Sequence, residues 1–312
     1  MRVFVAGATG AIGRPLVPKL VAAGHEVTGM TRSDQRAESV RAAGARAVVC
    51  DVFDAAALRS AFAQARPEVV VHQLTALPDR LDLRDKDVYA ATNRLRGEGT
   101  RILLDAARRV GTGRFVCQSI AFAYETSEGP VKSEDAPLLR GGPAPLEEGV
   151  RTIAEMERQV LEADGLDGVV LRYGFLYGPG TYYDKDGSTT ADVRRRRMPV
   201  VGKGSGVFSF VHVDDAADAT VIAVERGAPG VYNVVDDEPA PMREWLPAFA
   251  EAAGAKRPLR FPAWLAKLVA GPVVAAYALN LRGASNTKAK SELGWRPAHP
   301  SWRQGFAEAL RR

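Results

Sequence analysis

Three glycines at a spacing of three, Gly7, Gly10 and Gly13, stand in VFVAGATGAIG near the start of the chain. Each sits where a side chain would obstruct. Gly7 permits a tight turn, Gly10 lets the backbone approach a bound anion, and Gly13 lets a helix lie close on a strand. An apolar run precedes them and a helical pattern begins near Ile12, so unpaired N–H groups at the helix start face the turn. Strand, glycine turn and helix in that order suit a pyrophosphate and hence a dinucleotide, with Thr9, Ala11 and Ile12 completing the cradle.

The end of the second strand selects the dinucleotide. An acidic residue there would accept hydrogen bonds from an adenosine ribose and repel a 2′-phosphate. TRSDQR instead puts Arg32 at the strand end, Ser33 next to it and Arg36 one turn on. Guanidinium groups match phosphate oxygens in pairs, so NADP(H) is the expected cofactor. Asp34 is expected to cap the following helix rather than bind ribose. Asp51 and Val52, closing the third strand, are expected beside the adenine, with a simple turn as the other reading of Asp51.

The elements that must hold these residues are legible as alternation. Strands are predicted at Arg2–Ala6, Glu26–Thr31, 47–50, 69–74, 115–118, 169–172 and 231–235, with helical periodicity between them, clearest over 93–110. The pattern implies an α/β fold, a Rossmann-type doubly wound parallel sheet covered on both faces. Beyond Tyr177 the chain turns to Gly-, Pro- and Tyr-rich loops. A dinucleotide domain over 1–175 and 208–237 is expected to carry a smaller C-terminal substrate lobe made of 176–207 and 238–312. The loop Tyr182–Lys185 is a candidate cover for the pocket.

Composition narrows the function classes. The 312 residues are 46% hydrophobic and carry a formal charge of +5. The basic residues are mostly arginine, as composition rather than as a face. The one dense run, Arg194 to Arg197, lacks interleaved aromatics, so nucleic-acid binding is not expected. Cys50 and Cys117 end apparent strands and read as reduced, buried thiols. The four histidines lack metal-ligand spacing, and His212 reads as a strand end and helix start. The first strand follows Met1 directly, so no signal peptide is expected. Phe261 to Leu281 has the length of a membrane span, but Lys267 and Pro272 lie inside it. Pro262 and Pro272 read as first-turn residues of two short helices, in an apolar lobe lining a pocket or a partner surface. A cytoplasmic protein without a membrane segment is the expectation.

The glycine motif, DVFD at Asp51, NRLRGEGTRILLDAA from Asn93, LRYGFLYGPG from Leu171 and FVHVDDAA from Phe210 together resemble the extended short-chain dehydrogenase/reductase family, which includes nucleotide-sugar epimerases and dehydratases. The resemblance implies cofactor contacts at Leu74, Thr75, Ala76, Asn93 and Gln118, and at Tyr173, Gly174 and Leu176 beside the carboxamide. It also implies a small-molecule substrate and, as is common in the family, a homodimer. Chemistry follows less easily. The family places Tyr and Lys four apart on the helix after the fifth strand. Registering Glu157 on the family's usual Glu puts Gly149 and Ile153 in those slots. Ile120 takes the Ser/Thr slot, with Ser119 one residue early. Ala121 and Phe122 replace the Asp-Glu pair of the dehydratases.

Ile120, Ala121, Phe122 and Ile153 are therefore expected to form an apolar wall that favours a flat, hydrophobic or aromatic substrate. The leading expectation is an atypical NADP(H)-dependent oxidoreductase acting on a small, rather apolar carbonyl or enone, with a relocated proton donor. Tyr124 is the first candidate donor, Tyr173 the second, and Ser119 a third that lacks an evident partner. Two alternatives stand beside it. One is a non-reductive enzyme using NADP(H) as scaffold or transient hydride carrier; the other is a non-catalytic NADP(H)-sensing protein.

Overall fold

The structure is a computed structural model that describes residues 1–85 and 87–311. Seven parallel strands form the central sheet: β1 (Arg2–Ala6), β2 (Glu26–Thr31), β3 (Arg46–Val49), β4 (Val69–His72), β5 (Arg114–Ile120), β6 (Asp167–Tyr173) and β7 (Gly230–Val234). Their spatial order is β7-β6-β5-β4-β1-β2-β3. The chain moves outward from β1 in one direction and then in the other, which leaves a crevice where the order reverses, at the carboxyl ends of β1 and β4. The strands are hydrophobic on both faces because helices cover both.

On one face Val3, Val5, Val71, Val116 and Leu171 pack on Leu16 and Leu20 of α1 (Gly13–Ala22) and on the small-residue face of the helix Val213–Glu225. On the other, Phe4, Val70, Phe115 and Cys117 meet Phe62 of the helix Ala55–Ala65, Leu103 and Leu104, and Met156 and Val160. A third core lies beyond the carboxyl ends of β5 and β6. There Tyr177, Tyr183, Phe208, Phe210, Trp245, Phe249, Trp302 and Phe306 interlock. Phe208 and Phe210 join this aromatic core although the sequence assigned 208–237 to the nucleotide domain.

Several boundaries differ from expectation. The first two strands match, and the ends of the other five move by at most two residues. The helical pattern over 93–110 is broken: Ala90–Arg94 and Thr100–Arg109 are α-helical, and Leu95–Gly99 between them is a π-turn. Two glycines within that turn weaken the α-helix where it widens. Asp34 does not cap its helix. Ser33, in extended backbone, accepts from Arg36 N at 3.3 Å and takes the cap, leaving Asp34 in the first turn. Pro262 precedes its helix (Ala263–Ala270), whereas Pro272 does open the next (Pro272–Asn280). Tyr183 is no mobile cover, being 7% exposed in the aromatic core, and the Tyr182 hydroxyl donates to the Pro78 carbonyl at 2.6 Å. His212 closes a short strand and caps the helix after it, as expected. Cys50 and Cys117 are buried and free. Among the described residues no helix is long and apolar enough to cross a membrane, and no group of metal-ligating side chains forms.

Candidate active site

The glycine turn is as tight as its spacing requires. Gly7 has φ +94°, and a Cβ on it would stand 2.7 Å from the Gln73 carbonyl oxygen. A Cβ on Gly13 would reach 2.2 Å from the Gly7 carbonyl oxygen. By contrast Gly10 is exposed, and the nearest atom to its Cβ would lie at 3.4 Å. Two of the glycines thus serve internal packing and the third leaves a free approach to the loop, the arrangement a pyrophosphate cradle needs.

At the end of β2, Arg32 and Arg36 are exposed, and among the described residues neither guanidinium has a hydrogen bond or ion pair. The Ser33 hydroxyl is engaged as the helix cap. The Asp51 carboxylate accepts from Phe53 N at 2.9 Å, the turn role that the sequence left open, and Val52 is buried behind it. Past β4, Gln118 Nε2 lies 3.4 Å from the Leu74 carbonyl and Ala76 N donates to Thr92 at 3.1 Å, which fixes that loop over the crevice while Thr75 stays exposed. Asn93 Oδ1 is buried with no hydrogen-bond partner, an acceptor left open for a ligand hydroxyl. Gly174 is tightly enclosed, its Cβ position 2.6 Å from the Ser209 carbonyl oxygen, and Leu176 is half-buried beyond it.

The three candidate donors are all committed to internal partners. Ser119 donates to Glu157 Oε1 at 2.6 Å. Tyr124 donates to Asn233 Oδ1 at 2.6 Å and accepts from Arg172 Nη1 at 2.9 Å. Arg172 in turn grips Glu157 at 2.6 and 2.8 Å. Tyr173 accepts from Gln73 Nε2 at 3.2 Å and lies 2.7 Å from Thr220, whose own proton goes to the Ala216 carbonyl; the Tyr173 proton therefore goes to Thr220. Burial raises the pKa of both phenols, with Arg172 pulling Tyr124 part of the way back. The expectation of a donor at Tyr124, Tyr173 or Ser119 is revised on this geometry. A donor must come within ~2.6–3.2 Å of its substrate atom, directly or through one water, and these hydroxyls are spent inside the fold.

The apolar wall is present in altered form. Ile120 packs against the cluster of Ala123, Leu146, Val150 and Val273, as does Tyr277. Phe122 stacks on Phe175 at 4.2 Å between centroids, with Tyr277 edge-on at 6.5 Å. Ile153 is 1% exposed. Ala121 leaves the wall, because alternation along the chain turns it toward Tyr124, Val235 and Ala284. A Cβ on Gly149, the position expected in the slot of the family's tyrosine, would meet nothing within 4 Å. An adjoining cavity of about 260 Å³ is lined by Phe122, Leu146, Ala276 and Tyr277 among others. The stretch 261–281 thus supplies a pocket wall.

Sequence reasoning missed one group here. Arg96, on the π-turn, belongs to no motif that singles it out in the sequence. Arg96 is half-buried; burial lowers its pKa, and the Tyr89 and Tyr277 phenols oppose that shift. His72, at the end of β4, is held down to about 4 by burial and then by the Arg96 charge, so its ring is neutral. The only signal in the sequence was the glycine pair that widens the helix.

Comparison with known proteins agrees with this architecture. The profile of the NAD dependent epimerase/dehydratase family matches residues 3–234. A Streptomyces protein described as 3-diazoavenalumate denitrifying reductase is 51% identical over 309 residues, covering 98% of this chain and 99% of that protein. The UDP-glucose 4-epimerase of Mycolicibacterium smegmatis is 30% identical over 95% of this chain and 94% of its own length. In three dimensions, the UDP-glucose 4-epimerase of Thermus thermophilus in complex with NAD superposes with a TM-score of 0.75, at 28% identity over 100% of this chain and 98% of that one. The chain belongs to the NAD dependent epimerase/dehydratase family, as an oxidoreductase-type member built to hold a nicotinamide dinucleotide.

Proposed function

We propose that this protein is an NADP(H)-dependent reductase that replaces the diazo group of an aromatic carboxylate by hydrogen and releases N2. The observation that carries this reading is the side-chain set at the reacting end of the cleft: Ile120, Gly149 and Ile153 stand where carbonyl chemistry keeps, in that order, a hydroxyl, an acid and the acid's activator. Reducing a carbonyl puts negative charge on oxygen, and a positioned acid typically contributes ~10²–10⁴ in rate by protonating it. Loss of N2 has no such demand. The carbon of an aryl diazonium gains a hydride, its C–N bond breaks with the electron pair leaving on nitrogen, and an arene and N2 result with charge balanced. When a deprotonated ring hydroxyl makes the substrate neutral, one proton from solvent completes the balance. The 51%-identical relative, whose description names a diazo carboxylate and its denitrification, supports the same chemistry.

When bound, the dinucleotide supplies the hydride. The residues of this chain that would hold it are the glycine turn from Gly7 to Gly13 at the pyrophosphate, Arg32 and Arg36 at a 2′-phosphate, Asp51 and Val52 near adenine, and Leu74–Ala76, Asn93, Gln118 and Gly174–Leu176 toward the nicotinamide. Two unpaired guanidiniums support NADP(H) over NAD(H). The aromatic wall of Phe122, Phe175 and Tyr277 excludes water and orients a flat ring.

The test is single-turnover reduction of 4-diazoniobenzoate labelled with nitrogen-15, using NADPH deuterated at the transferred position. The expected products are labelled N2 and benzoate carrying one deuterium at the former C–N carbon. Release of N2 at the buffer rate with no deuterium in the product overturns the reading. Turnover of aryl aldehydes or enones in a parallel panel would restore the carbonyl expectation.

A further inference from the structure

We propose that Arg140 is the residue that selects for an aromatic carboxylate, receiving the carboxylate group at the mouth of the cavity beside Phe122 and Tyr277. That the ligand is an aromatic acid rests on the reading above; the place of its anionic group rests on the cavity itself. Leu146 and Leu281 are buried and Phe122 and Tyr277 half-buried, so they form the apolar interior of that space of about 260 Å³. Arg140, Gly142 and Asn280 line the same space but are exposed, and so form its mouth. A volume just below the ~300–1,000 Å³ of usual ligand pockets takes one ring with a short side chain rather than a sugar nucleotide. An ionised carboxylate is costly to bury among apolar side chains. A flat acid whose ring lies against Phe122 and Tyr277 therefore directs its carboxylate to the mouth.

The mouth is short of negative charge. Among the described residues Glu125 is the one acid on the lining. Its carboxylate is turned to the backbone, accepting from Thr126 N and from Arg140 N at 3.2 Å each. The Arg140 guanidinium has no hydrogen bond or ion pair among the described residues, although that carboxylate stands beside its own backbone. Elsewhere an arginine takes the acid at hand, as Arg94 takes Glu98 at 2.8 Å and Arg80 takes Asp192 at 2.8 Å. A second cation backs the first. Arg282 Nη1 donates to the Asn280 carbonyl at 3.0 Å and Nη2 to the Thr126 carbonyl, which ties two lining segments together. Its Nε is buried without a partner, and among the described residues no carboxylate pairs with it. Two guanidiniums thus stand against one carboxylate around the mouth. The N–H groups of Gly141 and Gly142 on the same lining make no hydrogen bond among the described residues. An incoming carboxylate answers this excess. Arg140, exposed and unengaged, presents a planar fork that suits both of its oxygens, and Arg282 is a positioning residue that holds the rim.

The experiment is calorimetric binding to the NADPH-loaded protein of 4-hydroxycinnamate and of its neutral amide, 4-hydroxycinnamamide, at low and high salt. Wild type is expected to favour the acid roughly tenfold, the lower end for a charge-assisted contact because Arg140 is exposed. High salt should remove part of that preference. Arg140→Gln is expected to bind acid and amide alike, and Arg140→Lys to keep part of the preference. Arg108→Gln removes the same charge from the exposed end of the helix Thr100–Arg109, outside the cavity lining, and should behave as wild type. NADPH affinity by fluorescence should be unchanged in all three variants. Equal affinity of wild type for acid and amide, no binding of either, or a preference that survives in Arg140→Gln would each overturn the assignment. So would a preference that falls as far in Arg108→Gln, or a fall in NADPH affinity on losing Arg140. None of these measurements involves diazo reduction. An Arg140-dependent preference for the acid without N2 release would fail only the reaction proposed above, and N2 release from 4-diazoniobenzoate with the same KM in wild type and Arg140→Gln would fail only the role of Arg140.

Discussion

Arg172 and Glu157 form a two-pronged ion pair at 2.6 and 2.8 Å behind the carboxyl end of β5, each side chain 6% exposed. Ser119 closes it from the sheet and Tyr124 extends it to Asn233. Removing one partner strands the other charge in a buried site, which costs ~3–5 kcal/mol. Glu157→Gln is therefore expected to lower the unfolding free energy by about that amount, read as a shift of the urea midpoint. A midpoint within experimental error of wild type would show that the pair carries no stability.

Tyr124 is tied into this network, and its expected role is structural. Tyr124→Phe leaves Asn233 Oδ1 without its donor and is expected to cost ~1–3 kcal/mol in unfolding free energy. Turnover measured well below the melting temperature should stay at the wild-type value. A tenfold fall in turnover with unchanged stability would return the phenol to the mechanism.

Arg32 should set cofactor choice. Arg32→Asp is expected to weaken NADPH binding by ~1.5–3 kcal/mol, roughly tenfold to a hundredfold, and to spare NADH. Calorimetry with both nucleotides decides it, and equal wild-type affinities for the two would refute the assignment.

Gly13 permits no side chain. With a Cβ position 2.2 Å from the Gly7 carbonyl oxygen, Gly13→Ala must shift either the turn or the helix. The expected outcome is loss of nucleotide affinity of at least tenfold with a lowered melting temperature. Normal NADPH binding by Gly13→Ala would mean that the turn is softer than its contacts imply.

Asp236 gives stability a pH dependence. Its carboxyl is buried and, with Glu238 and Asp237 near it, is pushed up from 3.8 to about 8. The folded state therefore keeps a proton that the unfolded state has lost between those values. The associated stability is complete below 3.8 and drains away as pH rises toward about 8. Melting temperatures from pH 5 to 9 should fall through that window, and Asp236→Asn should flatten the slope. Parallel curves for the two proteins would contradict this.

Local spacing determined much of what matters here. The glycine turn spans seven residues, and every contact that demands a glycine lies within it or on the adjacent strand end, so the cradle was legible in one short stretch. The arginines at the end of β2 follow from the same reasoning, as does the parallel sheet, whose apolar runs alternate with helices. The missing Tyr–Lys pair was legible too, since an absence at a fixed helical spacing needs no structure to be seen. Tertiary structure decided everything that depends on distant partners. Tyr124 looked available because Asn233 is 109 positions away and Arg172 is 48. Arg96 gives no local sign of its surroundings, and packing of the π-turn against the helix Ala144–Leu161 leaves it half-buried. Sequence records which side chains are present within a turn or strand, whereas the partner that engages a hydroxyl or leaves a charge unanswered is chosen by how separate elements close on one another.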